Sequence, residues 1–187
     1  CAGITTYSPL KRYKVKKGSK VGVVGLGGLG HMAVKLAKAM GAEVTVFSTS
    51  QNKQADAKKL GAKHFCFTKD AKNFAAYMGK LDLIINTVSA NIDFTPYLAC
   101  LKIDATMVLV GVAPEPNKVS AFGLIGGRKK LTGSLIGGIK ETQEMLEYSV
   151  EHNIQPEIEI ITMQNINQAW DSLRNKQISK RFVIDMK

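Results

Sequence analysis

The sharpest chemistry in this sequence lies in a glycine-rich turn. Gly25-Leu26-Gly27-Gly28-Leu29-Gly30 follows an apolar run at 20–24 and opens a helix-spaced apolar pattern at 28–40. In such a G-x-G-x-x-G turn Gly25 permits the tight bend, and Gly27 lets the backbone approach a pyrophosphate with no side chain in the way. Gly30 allows close packing of helix on strand. The free N–H groups and positive dipole end of a helix N-terminus complete an anion cradle. Glycines also serve ordinary turns. A strand before this one and a helix after it favour a bound dinucleotide.

The end of the second strand discriminates between the two nicotinamide dinucleotides. An NAD site places Asp or Glu there to bind the ribose 2′-hydroxyl. This sequence has Ser48-Thr49-Ser50-Gln51-Asn52-Lys53 instead, and Glu43 lies before the strand. The hydroxyls of Ser48, Thr49 and Ser50 can donate hydrogen bonds to a 2′-phosphate, and Lys53 can supply charge. The alternative is an ordinary loop and helix cap, since Ser and Asn favour N-caps. The missing carboxylate favours NADP.

The other reactive side chains are sparse. Cys1, Cys66 and Cys100 are widely spaced and form no C-x-x-C, so neither a zinc ribbon nor a redox pair is expected. His31 falls inside the first helical pattern and is expected to pack, as is the stripe of Met32, Leu36 and Met40. His64 opens a strand without a metal-ligand partner at useful spacing. His152 stands at a helix end, where a histidine serves as a cap.

The elements that would position these residues alternate. Strands are expected at 20–24, 44–47, 64–67, 81–85, 106–110 and 131–135. Helices are expected at 28–40, 52–60 and 94–101, with a weak one at 71–78. Alternation of this kind predicts a parallel sheet covered by helices on both faces, with ligands beyond the carboxyl ends of the strands. The tail reads as helix at 141–151, strand at 158–161, helix at 166–175 and strand at 182–184.

The 187 residues include 45% hydrophobic ones, enough for one domain with a sizeable core. No apolar run reaches the roughly 18–20 residues of a membrane span. A net charge of +11 raises nucleic acid as a partner. The lysines are scattered, however, and the longest basic run is Arg128-Lys129-Lys130, so a solvated basic surface and no nucleic-acid role are expected. The first residues lack the blocks of a signal peptide, and few cysteines fit a reducing cytoplasm. A chain that starts at Cys without Met also looks cut.

Five stretches then carry a resemblance: CAGITTYSPL, VGVVGLGGLGHMAVKLAKAMGA, STSQNK, GSLIGGIKETQEML and KRFVID. In this order, over nearly the whole chain, they resemble the zinc-dependent medium-chain alcohol dehydrogenases, in particular the cinnamyl alcohol dehydrogenase-like group. The resemblance implies a doubly wound, Rossmann-type α/β domain at 1–140. Residues 141–187 would return to a catalytic domain that is absent from this sequence. It implies NADP and zinc as cofactors and hydride transfer between NADPH and an aldehyde or alcohol substrate.

By position, Cys1 matches one ligand of the catalytic zinc, and Thr5 lies in a segment beside the nicotinamide. Gly27, Gly28 and Leu29 would contact the pyrophosphate, with Ser48, Thr49, Ser50 and Lys53 on the 2′-phosphate. Thr87 and Val88 follow the fourth strand and would border the adenosine and the nicotinamide ribose, and Gly111 and Val112 follow the fifth strand. Ser134, Ile136 and Gly137 would lie near the carboxamide, and Arg181 would reach the phosphates. Asn86 stands where an aspartate is often found. A homodimer through the last strand of the sheet is a further implication. Two rivals stay open: a zinc-free reductase resembling quinone reductases, and a non-catalytic NADPH-binding module. A single thiolate does not hold zinc, which needs four ligands, so this chain alone is expected to be inactive.

Overall fold

The computed structural model describes residues 1–175 and 181–186. In chain order the elements are α1 (Ala2–Arg12), β1 (Lys20–Val24), α2 (Gly28–Ala39), β2 (Glu43–Ser48), α3 (Gln54–Leu60) and β3 (His64–Phe67). There follow β4 (Leu81–Asn86), α4 (Thr95–Cys100), β5 (Leu101–Leu109), α5 (Ala121–Ile125) and β6 (Lys130–Gly133). The tail holds α6 (Ile139–Glu151), β7 (Ile158–Ile161), α7 (Ile166–Arg174) and β8 (Arg181–Ile184). The first six strands form one parallel sheet in the order β3-β2-β1-β4-β5-β6, and β7 pairs β8 in a separate parallel pair.

Strand alternation splits the core into two layers, one on each face of the sheet. Val21, Val23, Val44, Val46, Leu83, Ile85 and Val108 pack beneath α1 and α2, with Ile4, Leu10, Met32 and Leu36. Val24, Phe47, Ile84 and Met107 face the other way, among Phe74, Phe94, Tyr97 and Leu98. Burial on both faces is what makes these strands read as continuous apolar runs. Phe47 is fully buried at the centre of an aromatic group, with ring centroids 5.6–5.7 Å from Phe74, Tyr77 and Tyr97. Gly22 makes room for it: a β-carbon there would stand 3.1 Å from the Phe47 ring.

Several elements differ from expectation. Helix α1 was not expected, because Thr5, Thr6 and an internal Pro9 make it a weak helix former. Packing holds it instead, through buried Ile4, Tyr7 and Leu10. The weak helix at 71–78 is a 3-10 stretch, Ala71–Tyr77, whose first turn is capped by the Asp70 side chain accepting from the Lys72 N–H. Strand β5 starts five residues early, at Leu101, because residues 102–104 are exposed and carry no alternation. Strand β6 ends at Gly133 rather than 135, and the chain runs on irregularly to α6. The expected end of the helix at 166–175 agrees with α7 to one residue.

The tail does not hang free. Helix α6 lies against α1, with buried Met145, a Tyr7–Tyr148 ring contact at 5.7 Å and an ion pair between Lys11 and Glu144. Among the described residues no helix is long and apolar enough to cross a membrane.

Candidate functional site

Strand order reverses between β1 and β4, and the candidate site opens at the carboxyl ends of these two strands. The glycine turn bridges β1 to α2. Gly25 has φ +88°, a left-handed conformation that favours glycine, and its N–H donates to the Phe47 carbonyl at 2.9 Å. A β-carbon on Gly30 would overlap the Gly25 carbonyl oxygen, so the helix can begin this close to the turn only without a side chain there. Gly27 is exposed, and the space its β-carbon would fill is open. The first-turn N–H groups of α2 can therefore be approached from the Gly27 side with no side chain in the way.

Arg181, first residue of β8, closes this approach from the far end of the sequence. Its Nη2 lies 3.0 Å from where a Gly28 β-carbon would stand. Leu29 is half-buried at the first turn of α2. The loop after β2 comes to the same place. Lys53 donates from Nζ to the Leu26 carbonyl at 3.0 Å, which ties the loop to the glycine turn. Ser48 is buried, and its Oγ accepts the Ser50 N–H at 3.2 Å, so this hydroxyl shapes the loop. Thr49 is exposed and Ser50 half-buried.

Opposite the turn stand the residues that follow β4 and β5. Thr87 donates from its N–H and its Oγ1 to the Val24 carbonyl, at 3.0 and 2.8 Å. Asn86 is buried, and its Oδ1 accepts the Val88 N–H at 3.1 Å, a job an ionised aspartate could also do. Val88 touches the Gly25 position on one side, and its carbonyl lies 2.5 Å from a Gly111 β-carbon position on the other. A cleft of about 680 Å³ continues from there, lined by Gly111, Val112, Pro114, Asn117, Ser134 and Leu135 among others. Val112 projects into solvent, and Ser134 is held by its N–H on the Leu109 carbonyl at 3.0 Å. Ile136 has φ +49°, a strained conformation for a β-branched residue. Gly137 presses the same segment against Ile4 of α1, beside buried Thr5.

Cys1 is exposed at the start of α1, its Sγ 3.5 Å from the Thr5 hydroxyl. Among the described residues no group of three or more His, Cys, Asp or Glu is placed to hold a metal ion. The described residues therefore do not by themselves make a zinc centre: Cys1 is one exposed thiol where a catalytic site takes three protein ligands. Cys66 and Cys100 are buried thiols, pushed by burial to about 11 and about 12, and stay protonated near neutral pH.

Three contributors carried no usable sequence signal: the Leu26 carbonyl, a backbone group; buried Asn86, seen only as a departure; and the pair of His31 with Glu157. His31 is buried as expected, but its Nε2 also accepts the Glu157 N–H at 3.4 Å. His64 is exposed at the head of β3, and His152 caps α6 with Nδ1 3.0 Å from the Tyr148 carbonyl.

Comparison with known proteins decides the family. Residues 28–151 match the family described as zinc-binding dehydrogenase. The chain belongs to that family. It is 54% identical over 185 residues to NADP-dependent alcohol dehydrogenase C 1 of Mycolicibacterium smegmatis, covering 99% of this chain and 53% of that protein. It is 52% identical over 186 residues to a probable formaldehyde dehydrogenase of Bacillus subtilis, covering 100% of this chain and 53% of the relative. Among solved structures, a cinnamyl alcohol dehydrogenase of Sorghum bicolor superposes with TM-score 0.96 at 43% identity, over 99% of this chain and 53% of that one. A structure described as CAD from Helicobacter pylori complexed with NADP(H) gives TM-score 0.89 at 49% identity, over 100% and 53%. The chain thus spans about half the length of the relatives it matches.

Proposed function

We propose that this chain is the NADP(H)-binding half of an alcohol dehydrogenase of the cinnamyl alcohol dehydrogenase-like group, which moves hydride between NADPH and an aldehyde. One observation carries the reading. The glycine turn, the Lys53 ammonium and the Arg181 guanidinium converge at a strand end that has no carboxylate. That supplies two cations and a helix N-terminus for three phosphates, and no carboxylate at the strand end to repel the 2′-phosphate. The relative named an NADP-dependent alcohol dehydrogenase supports the same choice.

In this reading the N–H groups of Gly28 and Leu29 take the pyrophosphate with Arg181, and Ser50, Thr49 and Lys53 take the 2′-phosphate. Ser48 shapes that loop. Thr87, Val88, Gly111 and Val112 border the riboses, and Ser134, Ile136 and Gly137 flank the nicotinamide end with Thr5. The bound dinucleotide would supply the hydride; the chain binds it, orients it and keeps water from one face. Cys1 would give one ligand to zinc, the others coming from outside these 187 residues. Residues 1–140 are then the cofactor unit and 141–187 the segment that returns to the catalytic unit. A cytoplasmic setting and a homodimer belong to the same proposal. So do a small aldehyde or alcohol as substrate and no nucleic-acid partner.

A second reading, a non-catalytic NADPH-binding module, draws on the single candidate zinc ligand among the described residues. A titration followed by nicotinamide fluorescence tests what both readings share. NADPH is expected to bind at least tenfold more tightly than NADH. Lys53→Ala should erase most of that preference, as loss of a charge-assisted bond does, and leave NADH unchanged. Equal affinity for the two dinucleotides would defeat the 2′-phosphate assignment. Aldehyde turnover by a protein joining this chain to a catalytic unit, with zinc content near one per site, would exclude the module reading.

A further inference from the structure

We propose that His31 is a positioning residue for the dinucleotide: through Glu157 it holds Arg181 over the phosphate turn. This rests on the NADP-binding reading and adds to it how the arginine is placed. The linkage is short. Glu157 donates its N–H to His31 Nε2 at 3.4 Å and accepts the Arg181 N–H on its carbonyl at 3.1 Å. Arg181 in turn brings Nη2 within 3.0 Å of the Gly28 β-carbon position. One peptide segment thus joins the first turn of α2 to the residue that faces the same turn. Lys35, one helical turn beyond His31, grips the same segment by donating to the Gln155 carbonyl at 2.7 Å.

This geometry requires neutral His31. An Nε2 that accepts leaves the proton on the buried Nδ1, on the side of the Gly27 carbonyl one helical turn back. The charged groups facing the ring are Lys35 on its own helix, Arg181 on β8 and Glu157 ahead of β7; Lys59 of α3 lies 3.8 Å from the Glu157 carboxylate. Burial, then the two cations, hold the imidazole below its ordinary value, against a weaker pull from Glu157 and the Gly27 carbonyl. A second proton on the ring would turn Nε2 into a donor facing the Glu157 N–H. The bond is lost and a third positive charge joins Lys35 and Arg181. The segment ahead of β7 then keeps only its Lys35 hold on α2, and Arg181 is less firmly placed over the phosphate turn.

The test is the dissociation constant of the chain for NADPH and NADH between pH 5.5 and 8.5, with His31→Gln and His31→Leu. Glutamine presents an amide oxygen near the Nε2 position and does not titrate. It should bind as tightly as the unaltered chain at pH 8 and keep that affinity further into acid. His31→Leu should weaken both dinucleotides about fivefold at pH 8, the effect of one lost neutral hydrogen bond. The 2′-phosphate itself titrates near pH 6, but equally for every variant, and NADH lacks it. The proposal is overturned if His31→Gln follows the pH profile of the unaltered chain, or if a folded His31→Leu binds equally well at pH 8. Those results leave the NADP reading standing. Failure of the unaltered chain to bind either dinucleotide at any pH defeats both.

Discussion

At the scale of single residues, the glycines of the turn divide by what a methyl group would meet. Gly27 faces open space, whereas the Gly30 position runs into the Gly25 carbonyl. Gly27→Ala is therefore expected to leave the urea midpoint unchanged and to weaken NADPH binding tenfold or more. Gly30→Ala should lower stability by about 1–3 kcal/mol, as overpacking does. Chemical denaturation and a cofactor titration on the same two variants separate these effects. Of the two, only Gly27 is a pure binding residue, and the motif alone does not distinguish it from Gly30.

Among the elements, α1 and α6 depend on each other more than on their own propensities. Met145 is buried between them, its Sδ 2.9 Å from a Gly3 β-carbon position. Met145→Ala should destabilise the chain by about 2–5 kcal/mol, the range for truncating a buried methionine. Hydrogen exchange should show the loss first in α6, since the six-stranded sheet has its own two core layers. The Lys11–Glu144 pair adds little, because both side chains are solvated. The same logic explains why α1 was invisible in the sequence. Its stability comes from packing against α2, the sheet and α6, and not from its Thr-Thr and Pro-bearing turns.

For the molecule as a whole, His31 makes stability depend on pH with a definite sign. Its folded-state value lies below the ordinary 6.5, so near and below that pH the unfolded chain binds more protons. Stability therefore rises with pH through this window. Equivalently, the contribution is present above about pH 6.5 and is lost as pH falls through the depressed folded value. The thermal midpoint should drop across that interval, and His31→Gln should flatten the drop. A midpoint with the same acid dependence in both proteins would assign the effect to other groups.

The sequence by itself determined what is local. Alternating strands and helices, the glycine turn after β1 and the absence of a carboxylate after β2 all follow from periodicity and residue type within a few positions. The left-handed residues at Gly41 and Gly61, which end α2 and α3, belong to the same class. The resemblance assigned Arg181 to the phosphates, but no spacing shows it. Its guanidinium reaches Gly28 only because β8 pairs with β7 and Glu157 is tied to α2. Tertiary structure alone decided that tie between residues 126 positions apart, together with the grip of Lys53 on the Leu26 carbonyl. The reason is physical: backbone carbonyls and N–H groups are the same at every position, so which of them meets a given side chain is set by packing and leaves no mark in residue type.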